Sequence, residues 1–177
     1  MNSNNEMKRH QRVLQCLSSL PRKIMTVHEL DNVPEFILHD ICDENCFNIL
    51  RAAYFVDNPD FNQLKGVAGF CRDEVQEKGD TLWENPEQFS AFMDESPFNK
   101  KVREIFIESV KGNNHMHEHI VSEIAPQLNF KNPAWCNWDL KHYNYGLIIY
   151  EKANLSDDVF DEHFINTLYL LGFCAIR

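Results

Sequence analysis

The chain has 177 residues, 44% of them hydrophobic and 25% charged, enough for one domain with a real core and too apolar for a disordered segment. Its six glycines favour helices over a turn-rich β sandwich. A formal charge of −10 argues against non-specific nucleic-acid binding, which needs a basic surface.

No apolar run approaches the length of a membrane span, and the polar N-terminus lacks a leader-type apolar core. The expectation is a soluble, cytoplasmic protein with no nucleic-acid or membrane partner. The six cysteines contain no CxxC pair and are then expected as reduced thiols.

Residues 1–5 are expected to stand outside the fold. Residues 6–20 predict a first helix, with Val13, Leu14 and Leu17 on one side and Pro21 as its end. Its basic run, Lys8, Arg9, His10 and Arg12, reads as a solvated face. Residues 23–29 predict a short strand or extended link.

The longest helical pattern spans 33–56. Leu38, Cys42, Ile49, Ala53 and Val56 fall on one face, and Phe36, Phe47 and Tyr54 on the other. A helix apolar on two sides belongs in the centre of its domain. VDNPDFNQ (56–63) is a turn-rich break, 64–71 a strand or tight buried segment, and 72–95 a polar stretch holding one or two short helices.

Ser96 is placed to cap the next helix, with Pro97 at its first position and Gly112 at its end. Phe98, Val102, Ile105, Phe106 and Val110 form its inner stripe. Asn114 caps a further helix carrying HMHEHIVSEIA and stopped at Pro126. The segment AWCNWDLKHYNY leads into the best strand pattern, 145–152. Ser156 caps a last helix to about Leu171, Gly172 ends it, and FCAIR returns as a strand. The prediction is one domain over 1–177, of α+β class, mostly helical with a small sheet. An all-α fold is the alternative.

Three of the eight histidines fall in HMHEH, 115–119, with a carboxylate among them. On a helix His115 and His119 share a face, Glu118 stands three residues from His115, and His117 points away. That supplies two or three ligands. A tetrahedral site needs another from a different element, with His39 or a carboxylate the expected source. The metal implied is a divalent transition ion, zinc, iron, nickel or manganese. The alternative is an exposed helix start.

His39, Cys42 and Cys46 project from one sector of a helix, but the row spans about 10 Å, too long for one ion. Cys42 itself reads as core packing. Within this stretch, ILHDIC (37–42) resembles the LHDIG core of the HD-type metal-dependent phosphohydrolases. In those helical domains an upstream histidine, the His-Asp pair and a later aspartate hold one or two ions. His10 stands 29 residues before His39. The resemblance covers a few residues. Cys42-Asp43 replaces the usual Gly-Lys, and none of Asp139, Asp157, Asp158 and Asp161 stands out as the later aspartate.

Cys71 follows an apolar run at the start of a polar helical segment, where the local field favours a thiolate. A histidine from 115–119 and then Asp139 follow in the order nucleophile, base, orienting carboxylate. Trp135, Trp138, Tyr143 and Tyr145 read as core beside a strand, or else as a stacking platform. The acidic turn 57–62 falls short of a calcium loop.

Three functions follow from these readings. The first is a transition-metal-binding protein or metal-dependent hydrolase using the histidine and carboxylate cluster. The second is a non-catalytic acidic interaction module with a protein partner or a second copy of itself. The third is a cysteine-dependent hydrolase or transferase using Cys71, histidine and Asp139.

Overall fold

The computed structural model describes residues 3–75, 81–154 and 161–174. Helices α1 (Ser3–Val27) and α2 (Val33–Cys42) precede a hairpin of β1 (Ile49–Asn58) and β2 (Gln63–Cys71). Three short helices, α3 (Thr81–Glu84), α4 (Pro86–Glu95) and α5 (Pro97–Glu104), lead to the three-residue strand β3 (Phe106–Glu108). Then come α6 (Asn114–Gln127), β4 (Ala134–Asp139), β5 (Tyr145–Lys152), α7 (Asp161–Leu168) and a 3-10 turn, Tyr169–Phe173. The strands make one antiparallel sheet in the order β3-β2-β1-β5-β4. The fold is α+β with more helix than strand, and among the described residues no helix is long and apolar enough to cross a membrane.

The predicted helix 33–56 is where the fold departs furthest from expectation. α2 stops at Cys42, and a turn over 43–48 follows, in which Cys46 N and Asn48 N both donate to Asp43 O at 3.0 Å. Asn48 takes a left-handed φ of 53°, which no helix continues and asparagine tolerates. From Ile49 the chain is a strand, paired with β2 on one side and β5 on the other. Ala52, Tyr54 and Val56 enter one core, and Ala53 and Phe55 the other. A strand covered on both faces loses its polar alternation, so its apolar run imitates a buried helix. Leu38, Cys42, Ile49 and Ala53 are all buried as expected, but two lie on α2 and two on β1 rather than on one helix.

α1 departs in the opposite sense. It begins at Ser3, so residues 3–5 are helical, and it runs through Pro21 to Val27, where an end and an extended link are predicted. Proline inside a helix removes one hydrogen bond and costs about 3 kcal/mol. Leu20 and Val27 are nonetheless fully packed, with Ile24 against the same core. Burying such side chains is worth about 1.5–3 kcal/mol each, which outweighs the proline.

Ser96 caps α5 by accepting from Asn99 N at 3.2 Å, with Pro97 at the first helical position. The helix ends at Glu104, short of the predicted Gly112. The sheet captures the chain there: Gly66 N donates to Ile105 O at 2.9 Å, and Phe106–Glu108 pairs with β2. Phe106, predicted on an inner stripe, is 63% exposed on that edge strand. Asn113, not Asn114, caps α6, its side chain accepting from His115 N and Met116 N, and Pro126 lies inside the last turn instead of stopping it.

The break at 56–63 becomes the β1–β2 connection, with Asn58 Oδ1 accepting from Phe61 N and Asn62 left-handed. β5 forms over the predicted 145–152. Ser156 and residues 175–177 lie outside the described residues, and Phe173 ends a 3-10 turn where a strand is predicted.

The sheet divides two apolar layers. α1, α2, α4 and α7 pack one face, and α5 and α6 the other. The seam between α1 and α2 opens to solvent beside the end of β2.

Candidate functional site

α1 carries a polar stripe beside its apolar one. Arg12, Cys16, Ser19 and Lys23 recur at i, i+4, i+7 and i+11 and therefore share a face. Opposite stand His39 and Asp40 of α2, the turn after α2, and Arg72 just beyond β2. Together they line a cleft of about 910 Å³.

Asp40 organises its floor. Lys23 Nζ lies 2.9 Å from Oδ2, Trp83 Nε1 donates to Oδ1 at 2.9 Å, and His39 Nδ1 is 3.1 Å from Oδ1. Burial alone would raise the carboxyl, but the hydrogen bonds from His39, Lys23 and Trp83 hold it below the ordinary carboxylate value. Asp40 is therefore a fixed anion already answered within the fold. His39 is held edge-on by Phe70 and Phe89, each ring 5.5 Å away. With Nδ1 committed to Asp40, its Nε2 has no partner among the described residues, and the ring lines the cleft.

The arginines are arranged differently. Arg72 donates to Asn48 Oδ1 at 2.9 Å and to Cys42 O, both neutral. Arg12 and Arg22 are exposed, and none of the three has an ion pair among the described residues. Asp43 and Glu44 also line the cleft, yet Asp43 Oδ1 accepts from Asn45 instead of an arginine. Beyond Arg12 lies a second recess lined by Lys8, Arg9 and Glu44. α1 thus holds five lysines and arginines against Glu6 alone, a charge of +4 in a chain of −10. The cleft lining itself sets Arg12, Arg22, Lys23 and Arg72 against Asp40, Asp43 and Glu44, a small positive excess on an acidic body, and a local excess of that sign attracts anions.

The residues singled out from the sequence fall elsewhere. His115, Glu118 and His119 face solvent on α6, with His119 Nδ1 3.7 Å from Glu123 Oε1. His39 cannot join them, because α2 and α6 cover opposite faces of the sheet. Among the described residues no three His, Cys, Asp or Glu side chains are placed to hold a metal ion. His10, the upstream histidine of the HD resemblance, packs against His163 of α7 at 5.5 Å.

His117, expected to point away, is the buried histidine of the cluster. Its Nδ1 faces Asn137 Nδ2 at 3.2 Å, and its Nε2 is 4.0 Å from Asp57 Oδ2, beyond hydrogen-bond reach. Burial pushes this imidazole below its ordinary range, against the opposing pull of Asp57.

Cys71 ends β2 rather than opening an α-helix, and it is buried; burial raises its thiol. It pairs opposite Arg51, whereas Asp139 pairs opposite Tyr145, which in turn faces Asp57. Six residues of β1 separate those two ends, about 20 Å. Cys71 and Asp139 are therefore not brought together.

The four aromatics are dispersed as well. Trp138 stacks on Tyr54 in one core at 5.7 Å, Trp135 packs on the other face, Tyr145 covers Gly112, and Tyr143 is exposed. The cleft itself went unpredicted. Its signal is the i, i+4, i+7, i+11 row from Arg12 to Lys23, which is legible only if the helix continues past Pro21.

Fold and cleft together define an α+β protein with an arginine-lined interhelical cleft on an acidic body. No family model, curated protein or solved structure matches the chain.

Proposed function

We propose that the chain is a non-catalytic binding protein whose α1–α2 cleft takes a small phosphate-bearing anion. The observation that carries this reading is a set of guanidinium groups free of ion pairs: Arg12, Arg22 and Arg72 line one cleft, and none is paired with a carboxylate among the described residues, although Asp40, Asp43 and Glu44 line it too. A guanidinium offers two parallel donors that match a phosphate, and charge-assisted bonds of this kind are about twice as strong as neutral ones. Lys23, held by Asp40, adds a fixed positive charge, and His39 Nε2 adds a free polar atom.

The cleft's size is that of a small-molecule site, while the overall charge of −10 repels long polyanions. Arg12 and Arg22 are ten residues apart, about 15 Å along the helix, which leaves room for an organic body beside the phosphate. Cys42 is fully buried and its thiol is raised by burial, which favours binding over covalent catalysis.

Inorganic pyrophosphate titrated into the protein tests this by calorimetry and thermal melts. Bound anion should raise the melting temperature in proportion to the logarithm of its concentration. Binding should weaken with salt, and by at least tenfold in an Arg12→Ala/Arg22→Ala variant of unchanged stability. Equal shifts in both proteins, or none, would refute the proposal. Citrate should act more weakly; a larger citrate shift would move the ligand class to carboxylates.

A further inference from the structure

The two ring nitrogens of His39 meet different surroundings. Nδ1 stands 3.1 Å from Asp40 Oδ1. Lys23 and the Trp83 indole, each 2.9 Å from the same carboxylate, can only donate. Asp40 is thus the acceptor of all three, and Nδ1 carries the ring proton. The lone pair of the neutral ring is therefore on Nε2, which has no partner among the described residues. Unlike His117 Nε2, this atom is not sealed in the interior: the side chain keeps 8% of its surface exposed, and the ring lines the cleft. Phe70 and Phe89, each 5.5 Å away and edge-on, together with the bond to Asp40, fix which nitrogen is left over.

We propose that His39 is a phosphoryl acceptor, its Nε2 taking the phosphoryl group of a small phosphoramidate seated in the cleft. The proposal rests on the reading of that cleft as a phosphate site. A nucleophile oriented by a carboxylate is what a covalent step requires, and Arg12, Arg22 and Arg72 line the same space to hold the phosphoryl oxygens.

The donor reacts as its zwitterion, already protonated on nitrogen. The Nε2 lone pair attacks phosphorus as the donor's P–N bond breaks, and the bonding pair leaves on nitrogen as ammonia. The ring keeps its Nδ1 proton and gains a positive charge, which the Asp40 anion balances. Nothing is oxidised or reduced. One group is taken per chain, so the protein is a phosphoryl carrier and not a catalyst.

The whole chain is incubated with potassium phosphoramidate near neutral pH and digested at alkaline pH, where phosphohistidine survives. Trypsin combined with a glutamate-specific protease cuts after Glu29 and separates His28 from His39. The exposed His28, His115, His119 and His142 are the internal controls. The expected result is a phosphoryl group on His39, gained about fivefold or more faster than on any control, although the controls are far more accessible. Phosphorus NMR of the labelled chain should show the Nε2 isomer. Pyrophosphate at roughly ten times its dissociation constant should slow labelling of His39 by about tenfold and leave the controls unchanged. Label on the exposed histidines alone, a His39 no faster than they are, phosphorus on Nδ1, or a His39 rate unmoved by pyrophosphate would each overturn the proposal. Pyrophosphate binding with no label on His39 overturns this proposal alone; failure of pyrophosphate to bind overturns the anion reading together with it.

Discussion

His39 and Asp40 sit at the cleft, while His117 and Asp57 sit on the other side of the sheet, closed off from solvent. Both are histidine–aspartate pairs, and they differ in where their unanswered atoms lie. Asp40 takes donors from His39, Lys23 and Trp83, so the atom left over is His39 Nε2, at the cleft. In the sealed pair the leftovers are His117 Nε2 and Asp57 Oδ1, both buried. A polar atom unanswered at a cavity wall is available to a ligand, whereas one unanswered in the interior only subtracts from stability. The motif is shared; its position in the layers decides the role.

That contrast sets the expected order of effects. Asp40→Ala should be the most damaging change, because it removes the buried carboxylate on which His39, Lys23 and the Trp83 indole meet. The loss should be about 3–5 kcal/mol in denaturant melts. A loss under 1 kcal/mol would show that Asp40 is not the organising anion. Its contribution should also disappear as pH falls through the ordinary carboxylate range near 3.8, because the folded state holds Asp40 ionised to lower pH than the unfolded chain does.

Glu35 of α2 extends the same rule to a third buried acid. Its Oε1 meets Arg103 and, at 3.2 Å, Asn99, while Oε2 has no partner. Burial pushes this carboxyl up to about 7, past the pull of Arg103. The folded state therefore keeps the proton to about pH 7, and the unfolded chain releases it near 4.5. Stability should fall as pH rises across that window, by up to about 3 kcal/mol. Melts at pH 5 and pH 8 measure the slope, and Glu35→Gln should flatten it.

The sealed pair should respond less. Asp57→Asn keeps an acceptor for Gly112 N, which Asp57 Oδ2 serves at 3.2 Å, and removes a poorly answered charge. A change of about 1 kcal/mol or less is expected. His117 carries the opposite pH dependence to Glu35. Its folded value lies below the ordinary 6.5, so the unfolded chain binds the proton first, and stability drops as pH falls below that point. His117→Gln should remove this acid-side loss, read as a shallower slope between pH 7 and pH 5.

Smallest in stability, and most specific in function, are the cleft arginines. Arg12→Ala and Arg22→Ala should each change stability by no more than about 0.5 kcal/mol, since they are exposed and without ion pairs among the described residues. Their effect should appear only in the pyrophosphate titration.

Local chemistry was readable directly from the chain. Ser96 and Pro97 start α5, Asn58 and Pro59 turn the β1–β2 hairpin, and 145–152 is a strand, because caps, prolines and β-rich runs act within a few residues. Burial of 33–56 was also legible, since apolar content does not depend on secondary structure. What the tertiary structure alone decided was the use made of those residues. Ile49–Asn58 became a strand because two neighbouring strands and two apolar layers enclose it, and no local pattern separates that case from a buried helix. α1 crossed Pro21 because the packing of Leu20, Ile24 and Val27 repaid the broken hydrogen bond. The cleft follows from that continuation: Arg12, Lys23, His39 and Arg72 are spread over 60 residues, and only the docking of α1 on α2 and the end of β2 sets their side chains around one space.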